Sequence, residues 1–202
     1  MSTAKATVVA DEPSRAEAAR RAGLLEASLA VFARFGFRKT SMDEVARAAQ
    51  ISRQGLYLHF ANKEELLKAT VRHACESSRA DAEKALAADA PLPERLVTAF
   101  DEWVGRYVGR FGADAADLME AAETIAGAQI EETEKLFLDA VTSALREGGL
   151  AAAYKPAGVT VRQLAENLAN TAGGLKHCAE TREEFREGMT LAVRITCAPL
   201  AK

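Results

Sequence analysis

The sequence predicts an all-α chain of about nine helices, with a small three-helix head ahead of a longer helical body. Three observations predict it. Apolar residues make up 49% of the 202 residues, alanine and leucine dominate them, and only 5 prolines interrupt. Apolar positions recur every three or four residues along most of the chain. No segment keeps the two-residue alternation of a strand, and no internal repeat appears.

Residues 1–13 carry no periodicity and are expected to form a tail. From Ser14 to Phe35, Ala18, Ala22, Leu25, Leu29 and Phe32 fall at helical spacing, and Gly36 stops that helix as a residue just past its end. Ser41 and Glu44 have the spacing of a capping box and open a short helix that buries Met42, Val45, Ala46 and Ala49. After a break at Gln50 and Ile51, Ser52 caps a second short helix through Tyr57. Asn62 and Glu65 repeat the capping pattern at the head of a long helix to about Ala88. The Ala90-Pro-Leu-Pro93 stretch ends it. Further helices are expected over 94–111, 113 to about 126, 130–146, 160 to about 178 and 181–198, with Tyr154–Gly158 as a loop. The boundary between head (14–61) and body (62–202) is expected near Asn62.

The net charge of −3 is unevenly spread. Residues 14–68 hold 10 Lys/Arg against 6 Asp/Glu, whereas residues 69–202 hold 15 against 21. A basic segment joined to an acidic body fits a local face for phosphates. Cys75, Cys178 and Cys197 are widely spaced and odd in number, which suggests neither a disulfide framework nor a metal site. No secretory leader and no run of 18 apolar residues is present, so a cytoplasmic protein with no membrane partner is expected.

Residues 41–57 have the build of a helix-turn-helix, whose second helix enters a major groove. Small Ala46 and Ala49 let two helices cross closely, Ile51 fills the turn and Leu56 anchors the second helix from beneath. Arg53 and Gln54 lie near the start of that helix. Arginine pairs bidentately with guanine and glutamine with adenine. Gly55 lets a backbone approach, or avoids a clash.

The stretch Arg21–Leu67 closely resembles the N-terminal domain of TetR-type repressors. The matching residues are Leu25-Glu-Ala-Ser-Leu29, Phe32-Ala-Arg-Phe-Gly36, Thr40-Ser-Met-Asp-Glu-Val-Ala46, Ile51-Ser52, Leu56-Tyr57, His59-Phe60 and Asn62-Lys-Glu-Glu-Leu-Leu67, and they span 47 of the 202 residues. The resemblance implies binding to a double-stranded DNA operator, with Thr40 or Ser41, Tyr57, His59 and Lys63 where family members touch phosphates, and Ser52 is counted with Arg53, Gln54 and Gly55 among the DNA-binding residues. Hydroxyls and a lysine near helix starts suit anionic oxygens. Two positions depart from the pattern. Gln50 stands where the family often has glycine, at a cost of roughly 1 kcal/mol if its backbone is left-handed. Gln54-Gly55 replaces the family's usual pair, so no operator sequence can be carried over.

The resemblance also implies that the body supplies a ligand cavity and a homodimer interface. Leu164, Leu168, Thr171 and Leu175 make one stripe, and Phe185, Met189, Ala192 and Thr196 another, as candidates for a four-helix interface between copies. Phe100, Trp103, Tyr107 and Phe111, with Met119, Glu123, Phe137 and His177, are the candidate cavity residues. Few charges are expected inside, which favours a lipophilic or aromatic small-molecule effector. To release DNA, that effector must bind the DNA-incompetent state more tightly, with the helix from Asn62 as the lever. No cofactor or metal is expected, and no nucleophile–base spacing suggests an enzyme. The alternatives are a redox-sensing member that uses a cysteine and a helical interaction protein without DNA binding.

Overall fold

A computed structural model describes residues 15–110 and 115–200, and the expected tail and Phe111 lie outside them. Among the described residues there are helices and no strand. They are α1 (Arg15–Lys39), α2 (Met42–Ala48), α3 (Arg53–His59), α4 (Lys63–Leu86), α5 (Leu92–Trp103), α6 (Ala115–Glu147), α7 (Leu150–Tyr154), α8 (Val161–Cys178) and α9 (Arg182–Cys197). Short 3₁₀ turns follow α5, α7 and α9.

The caps at Ser41, Ser52 and Asn62 are where the sequence puts them. Ser41 Oγ accepts the Glu44 amide, and the Glu44 carboxylate accepts the Ser41 amide at 2.8 Å. Ser52 caps α3 through the Gly55 amide, Asn62 caps α4 through the Glu65 amide, and Thr160 with Gln163 forms a second capping box at α8. Gly36 (φ 77°) kinks the end of α1, so the chain turns there and then runs on to Lys39.

Three expectations need correcting. The two helices expected over 113–146 are one 33-residue helix, α6, because Gly127 continues the helix instead of breaking it. A glycine inside a helix costs only about 1 kcal/mol relative to alanine, which packing readily offsets. The helix expected over 94–111 ends at Trp103, where the chain tightens into the turn Gly105–Tyr107. A Cβ on Gly105 would lie 2.5 Å from Asp101 Oδ1 and 2.7 Å from Phe185 Cδ1, so α9 crosses too closely for a side chain. The expected loop at 154–158 is preceded by α7, which packs Leu150 into the body core.

Two apolar clusters form. One gathers α1–α3 around Phe32, Val45 and Leu56, and draws in Leu66 and Leu67 from α4 and Leu118 from α6. The other lies among α4–α9 around Phe100, Phe137, Leu168, Phe185 and Met189. The head core therefore reaches past residue 61 into the body helices.

Candidate nucleic-acid interface

The helix-turn-helix is built from the core outward. Val45, Ala46 and Leu56 are 2% exposed or less, so α2 and α3 cross on small and branched side chains. Between them the Ile51 amide donates to Ala46 O at 3.0 Å and the Gln50 amide to Arg47 O at 3.2 Å. Gln50 holds φ at 56°, and is the non-glycine residue in the left-handed region among those described. Ile51 does not fill the turn as expected; it is exposed.

Leu56 fixes the rotation of α3. At about 100° per residue, Gln54 and Leu58 each stand about 200° from Leu56, counted in opposite directions. They therefore share the outermost line of the helix. Arg53 and Tyr57 flank that line on one side, Gly55 and His59 on the other. Gln54, Tyr57 and His59 are all exposed, and Leu58 is 82% exposed.

Arg53 does not project freely. Its guanidinium donates to Asp43 Oδ2 at 3.1 Å and lies 5.6 Å from the centre of the Tyr57 ring. This draws it toward α2. The other carboxylate oxygen of Asp43 is buried without a hydrogen-bond partner. Gly55 also has a local reason: a Cβ there would sit 3.1 Å from Ser52 Oγ and crowd the cap.

Thr40 and Lys63, expected near phosphates, both engage the chain's own backbone. Thr40 is buried, and its hydroxyl donates to Gly36 O at 2.7 Å across the kink. Lys63 Nζ turns inward to Phe37 O at 2.8 Å, Thr40 O at 3.0 Å and Arg38 O at 3.3 Å, and lies 4.4 Å from the centre of the Phe37 ring. An ammonium has three protons, and here three carbonyls at the end of α1 take them. Ser41 stays exposed, although its hydroxyl donates to the Glu44 carboxylate at 2.8 Å. Those contacts hold the Glu44 carboxyl below its ordinary range, chiefly through the Ser41 amide. Sequence reasoning missed Leu58 and exposed Arg47. Their offsets from Leu56 and Val45 were the available signal.

The described candidate cavity residues do not line one common cavity. Phe137 stacks on Trp103 at 4.7 Å between ring centres and meets Phe100 edge-on at 5.2 Å, and these three pack as core. Met119, Glu123 and His177 are exposed. Among the described members of the set, Tyr107 alone borders a cavity of about 420 Å³ between α1, α4 and the turn after α5, with Leu29, Ala30, Ala33, His73 and Arg106 among its walls. Its hydroxyl pairs with Ser78 Oγ at 2.7 Å. The candidate dimer stripes point mostly inward as well. Leu164, Leu168, Phe185, Met189 and Thr196 are buried within the chain, and Thr171, Leu175 and Ala192 are half-buried. Apolar exposure on α9 belongs to Leu191 and Ile195.

With the geometry in view, the chain can be set beside known proteins. Residues 24–70 match the family model described as "Bacterial regulatory proteins, tetR family". Those residues are therefore similar to the N-terminal domain of TetR-family regulators. The chain is 37% identical over 59 residues to the HTH-type transcriptional regulator RutR of Escherichia coli, across 29% of this chain and 28% of RutR. The matched stretch thus spans well under two thirds of that relative. The fold extends the likeness to the body. A TetR-family transcriptional regulator from Streptomyces coelicolor superimposes with a TM-score of 0.62 at 21% identity, covering 91% of this chain and 81% of that one. AibR, solved with isovaleryl coenzyme A and operator DNA, gives 0.61 at 22% identity, covering 85% of this chain and 96% of its own. These relatives are transcriptional regulators. Among the described residues no cluster of three or more His, Cys, Asp or Glu could hold a metal, and no helix is long and apolar enough to cross a membrane.

Proposed function

We propose that this TetR-family chain is a ligand-responsive transcriptional repressor that binds a palindromic DNA operator as a homodimer. The observation that carries the reading is α3: a capped, anchored helix whose outer line is free of intramolecular packing, in the matched segment. Such a helix suits a major groove. Two heads related by a two-fold axis would reach half-sites in successive grooves. Leu191 and Ile195, one turn apart on α9 and 57% and 63% exposed, support a self-complementary contact between copies.

A small effector would act by favouring a head spacing that mismatches DNA. The cavity beside Tyr107 supports an effector with an apolar body and a polar end, since Leu29, Ala30 and Ala33 face His73, Ser77 and Arg106. The redox reading has less support at two of the three thiols, Cys178 being exposed. Burial, followed by Glu134 and Glu76, pushes the Cys75 thiol up to about 11, and burial also raises Cys197.

The test is selection of duplexes from a randomised library by the purified chain, followed by anisotropy titrations between about 50 and 200 mM salt. Enrichment of a two-fold symmetric site, bound less tightly as salt rises, is the expected result. No enriched sequence, or a monomer by light scattering on the selected site, would overturn the reading.

A further inference from the structure

The reading helix carries an exposed apolar side chain that the electrostatic account of the head leaves unused. Leu58 is 82% exposed, above every other large apolar side chain among the described residues. It is not isolated. Ile51 and Tyr57, at 37% and 42%, lie within seven residues of it. All three sit in the head, where basic residues outnumber acidic ones 10 to 6 over 14–68. An apolar side chain on such a face has a natural partner that is anionic at its rim and apolar at one point of its floor. The major groove has that chemistry, because each thymine presents a 5-methyl group between acceptor atoms.

The placement is specific. Leu56 is fully buried and turns Gln54 and Leu58 to the opposite side of α3. Four residues separate them, so they stand about 6 Å apart along the helix. That is close to two base-pair steps of about 3.4 Å. Arg53, by contrast, is held to the side by Asp43.

We propose that Leu58 is a specificity-determining residue that packs on the 5-methyl group of a thymine in the operator half-site, about two steps from the base that Gln54 reads. The inference rests on the DNA-binding reading above. It moves the centre of base recognition from Arg53 to the Gln54–Leu58 line.

The test uses the full chain and the duplex selected above, with each thymine of a half-site replaced in turn by deoxyuridine, which lacks only the methyl. At one thymine, the replacement should weaken binding about fourfold, the ratio expected for one methyl-sized group buried. Leu58→Ala should lose that difference and bind thymine and uracil duplexes alike. Its fold is safe because the side chain touches little of its own chain, and circular dichroism verifies this. Selection with Leu58→Asn should no longer enrich thymine at that position. Equal binding of every deoxyuridine duplex by the parent chain would overturn the inference, as would an unchanged uracil penalty in Leu58→Ala. In either case the parent chain still binds its selected duplex, so the DNA-binding reading survives. Failure to bind any duplex would instead remove that reading and this inference with it.

Discussion

A lysine near the start of a helix invites an anion, yet Lys63 serves the protein's own backbone. Its ammonium closes three carbonyls around the kinked end of α1. Hydrogen bonds from a charged donor contribute about 1.5–3 kcal/mol. Lys63→Met should therefore lower the thermal midpoint of the head, while leaving the salt slope of DNA binding unchanged; a slope flattened by about 1 would return Lys63 to the phosphates. Glu44 gives a second prediction, in pH. Its folded carboxyl titrates below its ordinary value of 4.5 because it accepts the Ser41 amide. The stabilisation from its ionised form is then fully present above that value and is lost as pH falls through the lowered one. Thermal melts between neutral and acidic pH should show the parent chain losing its advantage over Glu44→Gln in that window, and parallel curves would refute this.

At the scale of elements, α5 and α9 are clamped by one carboxylate. Asp101, with its side chain 6% exposed, accepts from Arg182 Nε at 2.9 Å, Arg182 Nη2 at 3.0 Å and Arg186 Nη1 at 2.8 Å. The arginines are themselves nearly half exposed, so solvent screens part of the interaction. Asp101→Asn should cost about 1–2 kcal/mol, read as a lower denaturant midpoint with an unchanged slope. This clamp was not legible in the sequence, because 81 residues separate Asp101 from Arg182 and no periodicity links them. The caps of the head were legible, since Ser41 with Glu44 and Asn62 with Glu65 act within one turn. For the same reason the helices of the head were legible, and the rotation of α8 and α9 was not. Both of those helices have an apolar stripe, but only packing decides which faces inward, and it buries Leu168 and Met189 while leaving Leu191 out. The inward turn of Lys63 was not legible, because a long flexible side chain can reach either way from the same position.

At the scale of the whole molecule, the head meets the body through α1, α4 and α6. Asp117 at the start of α6 accepts the Arg38 amide at 2.8 Å and pairs with the Arg38 guanidinium at 3.1 Å, so it grips the chain just beyond the kink. Asp117→Ala should speed hydrogen exchange at the Arg38 amide about tenfold, for a loss of about 1.4 kcal/mol in local protection. Unchanged exchange there would mean that the grip carries no energy. The sharing of side chains across the junction also bears on how such regulators are recombined. A head excised after residue 61 would leave behind Leu66, Leu67 and Leu118, three side chains that complete the packing around Phe32 and Val45. Transplanting the reader alone onto a foreign sensor would expose a raw apolar seam. A chimera that keeps its solubility would have to carry the first turns of α4 along with the head, and receive a matching leucine from its new host.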